Sequence, residues 1–225
     1  MIKHLVCLAN SRKLGGRCIA GRELLAGSLG KWIRPVGDRD DEEVSESEQK
    51  YEDRTDSRVL DVIDISFIGP KATSHQSENW LLDSRARWRK AGEWRPDDLH
   101  FLADAPGPLW INGHHTYNGQ NDRVPVAEID KAGGSLKLIA VANGLQLNIY
   151  STNFDKPKRK VQAEFPFGGM NYRLSVTDPL VENWSLSQVD GVYALNSSYL
   201  TVSLTEPWKD GYCYKLIAAI IGAIP

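Results

Sequence analysis

An all-β protein with one or two short helices is expected from this chain on three grounds. Short runs rich in β-branched and aromatic residues recur along it, as strands require. The clearest is Val59–Ile68, which Gly69-Pro70 ends. Asn143-Gly144 lies between two apolar runs, Leu136–Val141 and Leu145–Tyr150, and reads as a hairpin turn. The C-terminal third supplies about six such runs at short spacing, the pattern of a sandwich or small barrel.

In order along the chain, residues 2–9 suit a buried strand, and residues 10–16, ending in Gly15-Gly16, form a polar turn. Arg17–Gly21 reads as a second strand, which Arg22–Leu25 either extends or leaves for a short helix. Trp32–Val36 is a strand with an edge proline, Pro35. Residues 38–56 hold Asp40-Asp41-Glu42-Glu43 and few apolar side chains, so a solvated loop or a partly ordered helix is expected. Pro96–Leu102 reads as a short helix with proline in its first turn. Pro106-Gly107-Pro108 and Gly113–Gly119 are loop-like. Lys160–Phe165 and Tyr172–Thr177 flank Phe167-Gly168-Gly169. Asp178-Pro179 opens a connection through Trp184, and Tyr199–Leu204 and Tyr212–Ile220 close the chain. Two strand groups with an irregular bridge between them point to two small β-domains, 1–83 and 131–225, joined by a connector, 84–130. A single large sandwich is the alternative.

The 225 residues carry a formal net charge of −2, so no bulk positive field draws the chain to nucleic acid. Any such contact needs a local basic face. Hydrophobic residues at 41% exclude a wholly disordered chain. Cys7, Cys18 and Cys213 form no disulfide framework and no CxxC pair. The apolar run Leu216–Ile224 is too short to span a bilayer, which takes about 20 residues. With no signal-peptide pattern at the start, a soluble cytoplasmic protein is expected.

Residues 8–21 (Leu8-Ala9-Asn10-Ser11-Arg12-Lys13-Leu14-Gly15-Gly16-Arg17-Cys18-Ile19-Ala20-Gly21), Trp32–Val36, His75–Asn79, Thr201–Pro207 and Tyr212–Leu216 together resemble a bacterial family of dual OB domains. The resemblance reaches both ends of the chain and skips the acidic loop and residues 84–130. It implies two OB-like barrels, nucleic-acid binding, and a place in bacterial defence or mobile elements. It brings no catalytic residues.

An OB barrel holds single strands with a basic groove and aromatic platforms. On that footing Arg12, Lys13, Arg17 and Arg34 are candidate phosphate contacts, with Trp32 a candidate stacking surface; Arg22 and Lys31 lie among them. Arg85, Arg87 and Arg89 with Trp88 form a second candidate group, flanked by Lys90, Arg95, Trp80 and Trp94. Arginine and tryptophan also mark protein–protein hot spots, so a partner protein is an equal rival there. Lys156, Lys158, Arg159 and Lys160 read as lysines that blunt a sheet edge.

No catalytic or metal set is assigned, and no cofactor. Adjacent His114 and His115 would point to opposite faces of a strand, and His75, His100 and the cysteines lack ligand spacing. His75 with Glu78 reads as a hydrogen-bonded structural pair before an acid–base pair. Gly27–Trp32 lacks the first glycine and the Ser/Thr of a phosphate loop, and Ala26–Gly30 is one residue short of a nucleophile elbow. The leading expectation is therefore an RNA- or single-stranded-DNA-binding protein without a membrane association. A protein-interaction module is the first rival. A metal-dependent hydrolase using His75, Glu78 or the acidic cluster is the second.

Overall fold

The computed structural model describes residues 1–222 except Leu14, Pro106 and residues 153–157. The chain forms two compact units, Met1–Leu102 and Ala103–Pro225. Among the described residues it is β-rich, with three short helical segments. The connector expected at 84–130 is not a separate piece, because its strands complete the sheets on either side of the division.

The first unit holds β1 (Ile2–Lys13), β2 (Gly16–Leu25), β3 (Ser28–Val36), β4 (Asp61–Pro70), β5 (Asn79–Leu82) and β6 (Arg89–Glu93). Their order is β1-β2-β3-β5-β4-β6, and β4 also pairs with β1. The pairing closes a five-stranded ring in which only β3 and β5 run parallel, from Arg34 opposite Asn79 to Val36 opposite Leu81. Leu5 and Cys7 on β1, and Ile63, Ile65 and Phe67 on β4, point inward at the strand period of two. Ile19, Ile33, Leu82 and Trp88 fill the rest of that core. Gly21 is required where β2 crosses β1, since a Cβ there would lie 2.1 Å from the Val6 carbonyl oxygen.

The acidic segment is not the solvated loop expected. Val44 pairs with Arg17 through backbone hydrogen bonds in both directions, 2.8 and 3.0 Å. Val44 and Tyr51 both enter the barrel core. The Tyr51 hydroxyl donates to buried Asp61 (2.7 Å), which also takes the Arg58 N–H (2.8 Å) and the Lys90 ammonium (2.7 Å). Sparse apolar residues suffice here because each one is spent on the core, while Asp40 and Asp41 stay exposed. The helix expected at Pro96 is a 3₁₀ turn, Pro96–Phe101.

The second unit holds β7 (Arg123–Pro125), a 3₁₀ turn (Val126–Ala132), β8 (Leu136–Val141), β9 (Gln146–Ser151), β10 (Arg159–Phe167), β11 (Met170–Val176), α1 (Pro179–Ser185), β12 (Gly191–Ala194), β13 (Ser198–Leu204) and β14 (Tyr212–Gly222). The order is β12-β9-β10-β11-β14-β13-β8, with β7 beside β14. The Asn143-Gly144 turn does not make the expected hairpin. β8 pairs with β13 and β9 with β10, so the two behave as halves of one bent strand. Gly144, at φ +75°, supplies the bend rather than a reversal. Read this way, the ring again closes with its third and fifth strands, β11 and β14, parallel. Gly168-Gly169, both at positive φ, form the true hairpin turn between β10 and β11.

Helix α1 lies between β11 and β13 in the chain. Asp178 caps it by accepting the Leu180 N–H (2.9 Å), and its second oxygen takes the Ile220 N–H (2.9 Å). β11 and β14 pair over two residues each and then part. Gln120 fills the gap by pairing with Arg173, and β7 by pairing with β14.

Candidate nucleic-acid interface

The residues singled out in the first unit do not form one channel. Arg12 and Arg17 stand opposite each other on β1 and β2, with Lys13 beside them. The acidic segment lies against this hairpin: the Gly15 N–H donates to the Glu43 carboxylate (3.1 Å), and Arg17 lies 3.9 Å from Glu46. Trp32 is buried, with the Arg22 guanidinium 5.3 Å from its ring. Arg34 is buried too, donating to Asn79 Oδ1 (3.2 Å) with Glu78 Oε1 at 3.6 Å. Trp88 is 2% exposed and belongs to the core.

Neither indole assigned to stacking is open: Trp88 lies in the core, and Trp32, on the face of β3 opposite core residue Ile33, is covered. A tryptophan beside an arginine reads the same in sequence whether its ring faces water or the core. Of the second group, Arg85 clamps Asp83 (2.9 and 3.1 Å), Arg87 donates to the Ser47 carbonyl (2.8 Å), and Arg89 pairs with Asp64. These exposed guanidinium groups are tied to separate parts of the barrel. His75 and Glu78 are both buried. Among the described residues, no three His, Cys, Asp or Glu side chains converge as a metal set. Lys156 of the third basic group lies outside the described residues.

A different surface brings aromatic rings together in the open. On β14 the side chains of Cys213, Lys215 and Ile217 are buried, so Tyr212, Tyr214 and Leu216 stand on the outer face. The loop from β13 to β14, Thr205–Gly211, folds back over them: the Thr205 N–H donates to the Tyr214 carbonyl and the Trp208 N–H to the Tyr212 carbonyl, both at 2.9 Å. Trp208 is 63% exposed and meets Tyr214 edge-on. Thr205, Trp208, Tyr214 and Leu216 line a cleft of about 270 Å³.

The cleft has a polar margin. Asp210 accepts from the Tyr214 hydroxyl, and that bond, with burial added, pushes the phenol above its ordinary range. Arg123 lies 4.0 Å over the Tyr212 ring and 3.9 Å from Asp210, and the His114 ring is 5.9 Å from Tyr212. Lys209 and Glu206 are exposed on the loop. Two cations and two carboxylates thus nearly balance. The signal was present in sequence, as the turn Trp208-Lys209-Asp210-Gly211 followed by alternating Tyr212, Tyr214 and Leu216.

Both units share the closed five-stranded order with parallel third and fifth strands, and the second carries its helix between the third and fourth. That arrangement defines the OB barrel, a Greek-key barrel whose strand faces and loops, the fourth-to-fifth-strand loop among them, bind oligonucleotides and oligosaccharides. The cleft sits on that loop in the second barrel. The chain belongs to the family described as the dual OB-containing domain, whose model matches residues 3–220. No curated protein and no solved structure matches it. Among the described residues, no helix is long and apolar enough to cross a membrane.

Proposed function

We propose that this protein binds single-stranded nucleic acid, RNA or DNA, by stacking a base in the cleft of its C-terminal barrel. The observation that carries this reading is the exposed Trp208 indole at the rim of an apolar cleft, on a loop that OB barrels use for ligands. An indole left in water forgoes burial worth about 1.5–3 kcal/mol for a large apolar side chain, and a base stacked on it restores a comparable contact, roughly 1–3 kcal/mol. The cleft is smaller than the roughly 300–1,000 Å³ of drug-sized sites, which suits one base ring rather than a large ligand. Arg123 and Lys209 stand where a flanking phosphate would pass.

Stacking, rather than phosphate neutralisation, dominates in this reading. The arginines of the first barrel contribute less than sequence alone suggests, because acidic side chains sit beside them. The test is fluorescence anisotropy with labelled dT and rU oligomers. Binding that Trp208→Ala weakens about fivefold or more supports the reading, and binding that this change leaves intact removes it.

One surface favours the rival, a partner protein. Leu180, Leu186, Val189 and Val192 are all more than half exposed along α1 and the segment leading into the edge strand β12. Apolar side chains gathered in this way mark protein contacts. A pull-down with and without nuclease separates the two readings.

A further inference from the structure

Residues Leu109–Asp122 form a strap over the C-terminal barrel at the gap between β11 and β14. Two core side chains, one from each strand, hold its start. Tyr172 on β11 accepts the Leu109 N–H at its hydroxyl (2.8 Å). Lys215 on β14 is 1% exposed and donates from Nζ to the Ile111 carbonyl (2.8 Å) and to Asn112 Oδ1 (2.9 Å). The strap then carries His114 to the flank of Tyr212, holds Tyr117 wholly in solvent, and runs into Arg123, which covers the Tyr212 ring. Its course therefore fixes His114 and Arg123 beside Tyr212, at the margin of the aromatic cleft.

The two acceptors match the two N–H groups of a neutral amine. Among the described residues, the third N–H of an ammonium is left the Tyr172 ring, 5.3 Å away. The titratable groups facing Lys215 are Tyr172 from β11 and Asp122 from the strap; Cys213 lies two residues away on its own strand. Asp122 is already engaged, since its carboxylate takes the N–H and hydroxyl of Thr116 at 2.8 and 2.5 Å. Burial accordingly pulls Lys215 down from 10.5 to about 7, with Asp122 acting weakly the other way.

We propose that Lys215 is a positioning residue for the cleft and a proton-sensitive catch for the strap. As a neutral amine it closes the strap on the barrel, and proton uptake favours the state in which the strap lifts and the ammonium is hydrated. The importance of the catch for ligand rests on the base-stacking reading; the catch itself does not. The sign follows from linkage. The open state, with its amine in water, binds more protons than the closed state between about 7 and the ordinary lysine value, so opening becomes harder as pH rises, by up to about tenfold per pH unit. Below that window both states are protonated and the dependence vanishes.

Hydrogen exchange on the full chain from pH 6 to 9.5 tests this. The amides to follow are Gly113 and Gln120, the first bonded within the strap and the second to β11. Their protection factors should be level below pH 7 and climb above it, and Lys215→Met should flatten the climb. An identical climb in the variant, or none in the wild type, overturns the proposal. If Lys215→Met does not fold, the carbon-13 titration of the Lys215 side chain in the wild type decides. A midpoint near 7, with the Gly113 and Arg123 resonances moving alongside, upholds the catch; a midpoint near 10.5, or static resonances, overturns it. Oligonucleotide binding absent at every pH, with the climb intact, refutes the base-stacking reading and leaves the catch standing.

Discussion

Trp208 stands edge-on to Tyr214, ring centroids 6.2 Å apart and planes at 86°, on the loop and strand that close the C-terminal barrel. Tyr214 is fixed from below by its place on β14 and from the side by Asp210. The indole is thus held on a rigid base with its outer face in water. A ring so placed contributes little to the core and much to a planar ligand.

Removing that ring should cost affinity and leave the fold intact. Trp208→Ala is expected to weaken oligonucleotide binding roughly 5- to 150-fold, the equivalent of about 1–3 kcal/mol. Trp208→Phe should recover most of it. Anisotropy titrations give the affinities, and unchanged thermal melts show that the barrel is whole.

Salt should matter little. With Arg123 and Lys209 as the cations at the margin, two phosphates would be neutralised, which gives a slope of about −1.4 in log affinity against log salt. Raising salt from about 50 to 200 mM should then cost about sevenfold. A slope several times steeper would move the ligand to the first barrel, where Arg12, Lys13 and Arg17 gather.

Trp88 should behave in the opposite way from Trp208. It packs with Leu5, Ile63 and Phe67, so Trp88→Ala is expected to destabilise the chain by about 3–5 kcal/mol. Urea unfolding measures the loss. Binding by the folded fraction should not change.

Thiol chemistry reports the same burial. Burial above all pushes Cys7 up to about 12 and Cys213 up to about 11, while Cys18 is half-buried. Ellman's reagent at pH 8 should label Cys18 in the native protein and all three cysteines only after denaturation. Rapid native labelling of Cys7 would contradict the closed first barrel.

The strand skeleton was legible where a strand's own residues suffice. β1 and β4 announce themselves through their apolar runs, and β10 and β11 through the two runs that flank Phe167-Gly168-Gly169. β5 and β6 escaped notice because Asn79–Leu82 is only four residues long and Arg89–Glu93 is mostly polar, and only their partners on β3 and β4 make them strands. Asn143-Gly144 misled because a turn-forming pair permits a hairpin without requiring one, and β8 and β9 have other partners. The candidate site was hardest to read. Trp32 and Trp88 drew attention through their arginine neighbours yet are buried, one under Arg22 and one in the core, whereas Trp208 lies between a lysine and a proline in a loop that resembled any other.

The most direct measurement uses the indole N–H resonances of the seven tryptophans during titration with a dT oligomer. The account predicts that the Trp208 resonance shifts or broadens together with backbone amides of residues 205–216, while those of Trp32 and Trp88 stay still. Shifts confined to the Arg12–Arg17 hairpin, or a Trp208 signal unmoved by saturating oligomer, would contradict it.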